Sequence, residues 1–341
     1  MKATIKDIAR ECGVSVSSVS MALSDKPNRI SEQTRKKVRE AAERMHYQPN
    51  MAAVSLVNRK SKMVGIVVND IRNTHISSLF MAIHKELEKK GYSMICHVLN
   101  GEDTSSDELI KLIASENVSA LIWAKSLEID KIEENARLKN DMESLGIPIL
   151  TMDDYGLTCS GVNVCFDYEL GGYLATKHLL DKGHVRIGCL TGDISYQVTQ
   201  ERLCGYKRAL EEYRIDFSEE LVYHGNYTME AGYRSLSYLR GQSVTAIFSF
   251  NDEMAFGLYQ AARNYGIDIP KDISIIGFDN VPFADVMEVP LSTIQVPIVK
   301  MGTFMGKEMI SLMENEKPAG RKEVLYKPDL LLRGSTSSIM Q

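Results

Sequence analysis

At 341 residues, with 44% hydrophobic and 25% charged side chains, the chain has the size and composition of a globular protein of two or three domains. Residues 1–60 hold 12 Lys and Arg against six Asp and Glu, whereas the rest holds 28 against 39, so a basic head (+6) precedes an acidic body (−11) and points to a nucleic-acid contact at one end. No run of about 18 apolar residues occurs and no apolar stretch follows the opening MKATIKDIAR, so neither a membrane span nor a secretory signal is expected and the chain is read as cytoplasmic.

The six cysteines form no C-x-x-C pair and have no histidine at ligand spacing. They read as small core residues in a reducing compartment, and no metal, cofactor or catalytic group is expected.

The first 47 residues are punctuated like three short helices. Thr4 with Asp7 resembles a capping box, and Ile5, Ile8 and Ala9 make one apolar face that Gly13 ends. Ser15 can cap a second helix in which Val16, Val19, Ala22 and Leu23 recur at helical spacing, and Pro27 and Asn28 close it. Ser31 opens a third, with Val38, Ala41, Ala42 and Met45 inward and Arg35, Lys36 and Lys37 outward. Helix, short glycine-containing turn, helix is the helix-turn-helix pattern, whose second helix lies in the major groove. Small residues at Ser17, Ser18 and Ser20 would allow close approach to DNA, with hydroxyls toward phosphates or bases, and Val16 or Met21 would suit a thymine methyl. After Pro49, Asn50 can cap a short helix with Ala52, Ala53 and Leu56 on its apolar face; alone it is too short to be stable in water.

From residue 62 onward, apolar runs alternate with amphipathic helices. Strands are expected at VGIVVN, YSMICHVL, ALIWA, IPILTM, GVNVCF, RIGCLTG, LVYHGN, TAIFSF and SIIGF. Helices are expected at 78–90, 131–145, 168–182, 199–214, 229–240 and 252–265. This rhythm implies parallel sheets covered on both faces, here in two similar lobes with a cleft between them. Doubly wound sheets bind ligands beyond the carboxyl ends of their strands. Asp70, Asn73, Asp153, Asn251, Asp252 and Asp279 sit there, with Arg202 and Tyr227 nearby; Asp252 reads as a helix cap.

TIKDIARECGVSVSSVSMAL followed by ISEQTRKKVREAAERMHYQPN resembles the DNA-binding head of the lactose-repressor (LacI/GalR) family of bacterial transcription factors. QERLCGYKRAL, FSFNDEMAFG, IPKDISIIGFDNVPFA and KPDLLLRGSTSS extend the likeness over essentially the whole chain. The resemblance implies an all-α helix-turn-helix head (1–49), a hinge helix (50–61) and an α/β body (62–341) of two doubly wound parallel-sheet lobes like type I periplasmic binding proteins. It implies three crossings between lobes, near 163–166, 291–295 and 322–326. The first lobe is then about 62–163 plus 294–323, and the second about 164–293 plus 324–341. Base reading falls on Val16, Ser17 and Met21, within a DNA-contacting set that includes Thr4, Ser15, Ser18, Ser20, Asn28, Arg29, Tyr47, Asn50, Ala53 and Leu56. Many members carry Arg where Met21 stands, and Leu56 is the hinge leucine that wedges into a minor-groove base step. Val54 replaces the usual arginine of that hinge.

By motif position Arg202, Asn251 and Asp279 are the effector contacts, joined by Asn73, Thr74, His75 and Asp153, with Tyr227 or Trp123 offering a face to a sugar ring. The implied protein is a repressor, controlled by a sugar or sugar derivative bound between the lobes. It would act as a homodimer on operator DNA, because no leucine heptad follows the core. A regulator of the same build controlled by a phosphorylated carrier protein is the alternative. An enzyme is disfavoured, since no GxGxxG follows the first strand and no GxxxxGK[ST] or GxSxG occurs. A solute-binding protein would not need the basic head.

Overall fold

The computed structural model describes residues 3–24, 29–47, 61–99, 106–157, 161–314 and 320–339. The expectations for Asn28, Asn50, Ala53 and Leu56, and with them the hinge helix, lie outside the described residues. The chain divides into two compact units, Met1–Ser61 and Lys62–Gln341.

The first unit contains α1 (Ile5–Cys12), α2 (Val16–Leu23) and α3 (Glu32–Arg44). Ile8, Ala9, Cys12, Val19, Ala22, Val38, Ala41 and Ala42 form its core. At the start of α1, the Thr4 amide and hydroxyl both donate to the Asp7 carboxylate, at 2.9 and 2.6 Å. Gly13 ends the helix at φ +65°, a left-handed conformation that suits glycine. Ser15 caps α2 by accepting from Ser18 N at 3.0 Å, and Ser31 caps α3 by accepting from Thr34 N at 3.2 Å.

The basic run of α3 is not simply outward. Arg35 Nη1 donates to Ser24 O at 2.8 Å and Lys37 Nζ to Cys12 O at 3.0 Å. Two cations thus satisfy carbonyls that the ends of α2 and α1 leave without helical partners, at the negative pole of each helix dipole.

Among its described residues the second unit holds two six-stranded sheets. The first contains β1 (Met63–Val68), β2 (Ser93–Val98), β3 (Ala120–Ala124), β4 (Ile149–Met152), β5 (Val162–Phe166) and β11 (Lys322–Tyr326), in the order β11-β5-β4-β3-β1-β2. Every ladder in it is parallel. Strand parity divides its core. Val64, Ile66, Val68 and Ile122 meet helices Thr74–Glu88 and Ile298–Glu314, while Val67, Leu121 and Trp123 meet Ser106–Ser115 and Ile132–Ser144.

The second sheet contains β6 (Ile187–Thr191), β7 (Val222–His224), β8 (Ala246–Ser249), β9 (Ser274–Asp279), β10 (Ser292–Gln295) and β12 (Asp329–Leu331), ordered β12-β10-β9-β8-β6-β7. Only the β10–β12 ladder is antiparallel.

The chain passes between the sheets after Phe166, after Gln295 and after Tyr326. The expected crossing ranges 163–166, 291–295 and 322–326 each end at one of these residues, while the approximate lobe boundaries at 163/164, 293/294 and 323/324 fall inside β5, β10 and β11. The passages instead follow the last paired residue, since a crossover inside a strand would forfeit ladder hydrogen bonds. Helices Ser106–Ser115, Phe283–Val286 and Ile298–Glu314 and strands β10 to β12 lie outside the elements expected from the sequence.

Candidate functional site

In the head, α2 divides cleanly. Val19 and Ala22 are fully buried, whereas Val16 and Met21 keep 41% and 40% of their surface exposed and Ser17 and Ser20 are also exposed. At 3.6 residues per turn, Val16, Ser17, Ser20 and Met21 fall within an arc of about 140°. The helix therefore presents one continuous face of two hydroxyls and two apolar side chains, without a charge. Val16, read from spacing as both an inward and a base-reading residue, belongs to that outer face. Ser15, Ser17 and Ser18 join their hydroxyls at 2.7 and 2.8 Å, so Ser15 and Ser18 serve the cap. Thr4 is engaged with Asp7, Arg29 is exposed, and Tyr47 packs against the small core.

In the second unit, the strand ends place a cluster between the lobes. Arg202, on helix Gln197–Glu212, is 6% exposed. Its Nη1 donates to Phe250 O at 2.7 Å and to the Tyr227 hydroxyl at 3.2 Å, and its Nη2 lies 3.9 Å from Asp279 Oδ1. The guanidinium carbon sits 4.1 Å from the Phe278 ring centroid, 4.8 Å from Tyr168 and 5.6 Å from Tyr227. These rings supply cation–π attraction that offsets part of the desolvation of the charge. Thr199 and Tyr227 pair their hydroxyls at 2.6 Å. Gly192 makes room for the tyrosine: a Cβ there would lie 2.0 Å from its ring.

Asp279 ends β9 at φ +111°, unusual for a residue with a side chain. Burial pushes its carboxyl well above the usual carboxylate range, against the pull of Arg202. His75, from the first lobe, holds Nδ1 3.9 Å from the same Asp279 oxygen. Burial, reinforced by Arg202, lowers its pKa to about 3, so the ring is neutral. His75 Nδ1 and Arg202 Nε are buried and lack hydrogen-bond partners among the described residues.

The other expected site residues divide between scaffold and core. Asn73 caps Thr74–Glu88, its Oδ1 accepting from His75 N at 2.9 Å and Ile76 N at 3.3 Å, and Thr74 opens that helix. Asn251, rather than Asp252, caps Asp252–Tyr265 by accepting from Met254 N at 2.9 Å, while its Nδ2 donates to Tyr227 O at 3.0 Å. Asp252 instead accepts from the Thr293 hydroxyl at 2.6 Å and Val281 N at 2.9 Å. Asp153 accepts from Phe166 N at 3.0 Å and the Tyr168 hydroxyl at 2.8 Å; burial outweighs both bonds and lifts its pKa to about 7. Trp123 is fully buried in the outer core of the first sheet with Val67 and Leu121, so it offers no face to a ligand. Asp70 pairs with Arg72 at 2.7 Å.

Tyr168, Phe278, Phe250, Thr199, Tyr155 and Glu201 were not anticipated. Tyr168 directly follows the helix cap behind β5, so the strand-end rule would have found it. Phe278 reads as an ordinary core strand residue. The lobes also touch through backbone, with Ile129 N donating to Ser195 O at 2.8 Å and Gln197 N to Leu127 O at 3.2 Å. Tyr155 donates its hydroxyl from the first lobe to Glu201 of the second at 3.0 Å.

Comparison with known proteins agrees with this geometry. Residues 4–50 match the model of bacterial regulatory proteins of the lacI family, and residues 176–336 that of a periplasmic binding protein-like domain. The chain is 33% identical to the HTH-type transcriptional regulator DegA of Bacillus subtilis (strain 168), with 99% of each chain covered. It is 31% identical to the ribose operon repressor of Haemophilus influenzae, again over 99% of each. Among solved structures, the lac repressor dimer bound to operator and the anti-inducer ONPF superposes with a TM-score of 0.85 at 23% identity, covering 99% of this chain and 100% of that one. A LacI family regulator from Enterococcus faecium with bound ribose gives 0.71 at 26%, covering 82% and 100%. No helix among the described residues is long and apolar enough to cross a membrane. With full-length relatives above 30% identity that are transcriptional regulators and not enzymes, the chain belongs to the lacI family of bacterial regulatory proteins.

Proposed function

We propose that the protein is a DNA-binding repressor whose operator affinity is set by a small carbohydrate held between the two lobes of its second unit. Two heads of a homodimer would read the half-sites of a near-palindromic operator. Val16, Ser17, Ser20 and Met21 would face the bases, with Lys and Arg of the head neutralising phosphates. In the cleft, Asp279 and Arg202 would bind vicinal hydroxyls, with His75 completing the contact from the opposite lobe and Tyr227 and Asn251 fixing their positions.

The observation that carries the effector reading is the convergence of three polar groups from both lobes: the Asp279 carboxylate, Arg202 Nε and His75 Nδ1. The last two are buried without a partner. Leaving such groups unpaired is costly; a ligand hydroxyl beside Asp279 can accept from Arg202 Nε, and a second polar group of the ligand would pair with His75 Nδ1. The ribose held by the Enterococcus faecium relative supports the same ligand class. Because one lobe supplies His75 and the other Asp279 and Arg202, a bound ligand favours one arrangement of the lobes over another. Control of DNA binding requires that difference in affinity.

The test is operator binding by the full-length protein, measured with and without each member of a sugar panel. One sugar is expected to shift operator affinity by about 5- to 150-fold, the usual range for coupled sites. No shift with any sugar, in protein that binds operator, would refute the cleft assignment.

A further inference from the structure

We propose that the exposed face of α2 selects thymine methyl groups, with Val16 and Met21 each seated on the methyl of a separate A·T pair in every operator half-site. The proposal rests on the operator-binding reading above and deepens it by naming what the helix selects.

Helix α2 reads VSSVSMAL and holds no charged or amide side chain. Val19 and Ala22 are fully buried, and its exposed residues are Val16, Ser17, Ser20 and Met21. At about 100° per residue, Ser20 and Ser17 lie about 40° and 100° round the axis from Val16, and Met21 about 140°. Two apolar side chains thus flank two hydroxyls. Ser17 Oγ stands 2.7 Å from Ser15 Oγ, so part of its hydrogen-bonding capacity is used within the cap. Two cations of α3 turn to backbone: Arg35 Nη1 donates to Ser24 O and Lys37 Nζ to Cys12 O.

In the major groove every base presents hydrogen-bonding atoms, and thymine adds a C5 methyl. Val16 has no side-chain hydrogen-bonding atom, and the Met21 thioether is only a weak acceptor. Neither can donate to guanine O6 and N7, and covering those atoms without pairing them costs their desolvation. Against a thymine methyl both sides of the contact are apolar, and burying it is favourable. A serine hydroxyl donates or accepts and suits several bases, so Ser17 and Ser20 discriminate little. Selection therefore falls on the two flanks. Val16 and Met21 are about 7.5 Å apart along the helix axis, more than the roughly 3.4 Å rise of one base pair, so they meet different pairs.

The test uses a duplex selected from a random pool with full-length protein. Each thymine of one half-site is replaced in turn by deoxyuridine, which removes only the methyl. At two positions affinity is expected to fall about fourfold, the worth of one buried methyl. Val16→Ala and Met21→Ala shorten exposed side chains and spare the core. Each is expected to erase the thymine–uracil difference at one of the two positions and leave it at the other, whereas Met21→Leu, still long and apolar, keeps both. A selected half-site that no uracil replacement weakens would overturn the proposal and leave operator binding standing. Methyl effects that persist in both alanine variants would overturn it too, by removing Val16 and Met21 as the readers. Recovery of no preferred sequence would overturn the base-reading role of α2 and the proposal with it.

Discussion

Arg202 and Asp279 show how a single side chain carries more than one task. Arg202 ties the end of β8 to its own helix through Phe250 O, and its Nε, the atom the proposed ligand would meet, has no hydrogen-bond partner among the described residues. Arg202→Ala and Asp279→Ala are expected to abolish the response to effector while operator affinity stays within about threefold, as for mutations distant from the other site; titrating each variant on operator DNA with and without the sugar checks this. Asp153 has a purely thermodynamic signature. Its carboxyl titrates near 3.8 when unfolded and about 7 when folded. Between those values the folded chain holds a proton that the unfolded chain has released, so this group lowers stability as pH rises. The slope is up to about 1.4 kcal/mol per pH unit, and Asp153→Asn should flatten it in denaturant melts run from pH 4 to 7. Arg202, Asn251 and Asp279 were legible because polar residues at strand ends are conspicuous against apolar runs. Trp123 misled for the converse reason: strand parity, which decides the face a residue occupies, sends it into the outer core. Phe278 was invisible because an aromatic that lines a guanidinium and one that packs a core look alike in sequence, and Phe250 because it meets Arg202 through its backbone carbonyl.

Among the elements, α2 is the one on which the proposed base recognition rests. Ser15→Ala removes the acceptor for Ser18 N and should destabilise the head by about 1 kcal/mol, read from its melting transition. The backbone bridge between residues 127–129 and 195–197 is one link between the lobes outside the polar cluster, beside the chain crossings and the Tyr155–Glu201 contact. Gln197 is the first residue of its helix and follows Tyr196 at φ −81°, ψ 134°, a setting that accepts proline. Gln197→Pro therefore deletes the donor to Leu127 O with little harm to the helix. Exchange of the Ile129 amide is expected to rise about fivefold in Gln197→Pro and not in Gln197→Ala, matching one net hydrogen bond of roughly 1 kcal/mol. Equal behaviour of the two variants would show that the bridge does not hold the lobes. The strands from residue 62 to 279 were readable to within a residue or two, since each is a short apolar run between turns. Helix Ile298–Glu314 escaped because Gly302 and Gly306 lower helix propensity. Their place is explained by packing: a Cβ at either would come within 3.0 Å of a carbonyl oxygen of the neighbouring helix, Leu79 or Ile83. Strands β10 and β12 are only four and three residues long and gave no periodic signal.

At the scale of the whole molecule, the division of charge is the organising feature. Six surplus positive charges in residues 1–60 precede eleven surplus negative charges in the rest, so attraction to a polyanion is confined to the end that carries the helix-turn-helix. The fold class was readable from the alternation of elements, whereas the exact crossing points depended on which residue closes each ladder. The most direct measurement is fluorescence anisotropy of a labelled operator duplex titrated with full-length protein between 50 and 200 mM salt, with and without the binding sugar. Affinity is expected to fall steeply, with a log–log slope of about −0.9 per neutralised phosphate, and to shift when sugar is added. Binding that ignores both salt and every sugar would contradict a charge-steered repressor governed by its cleft.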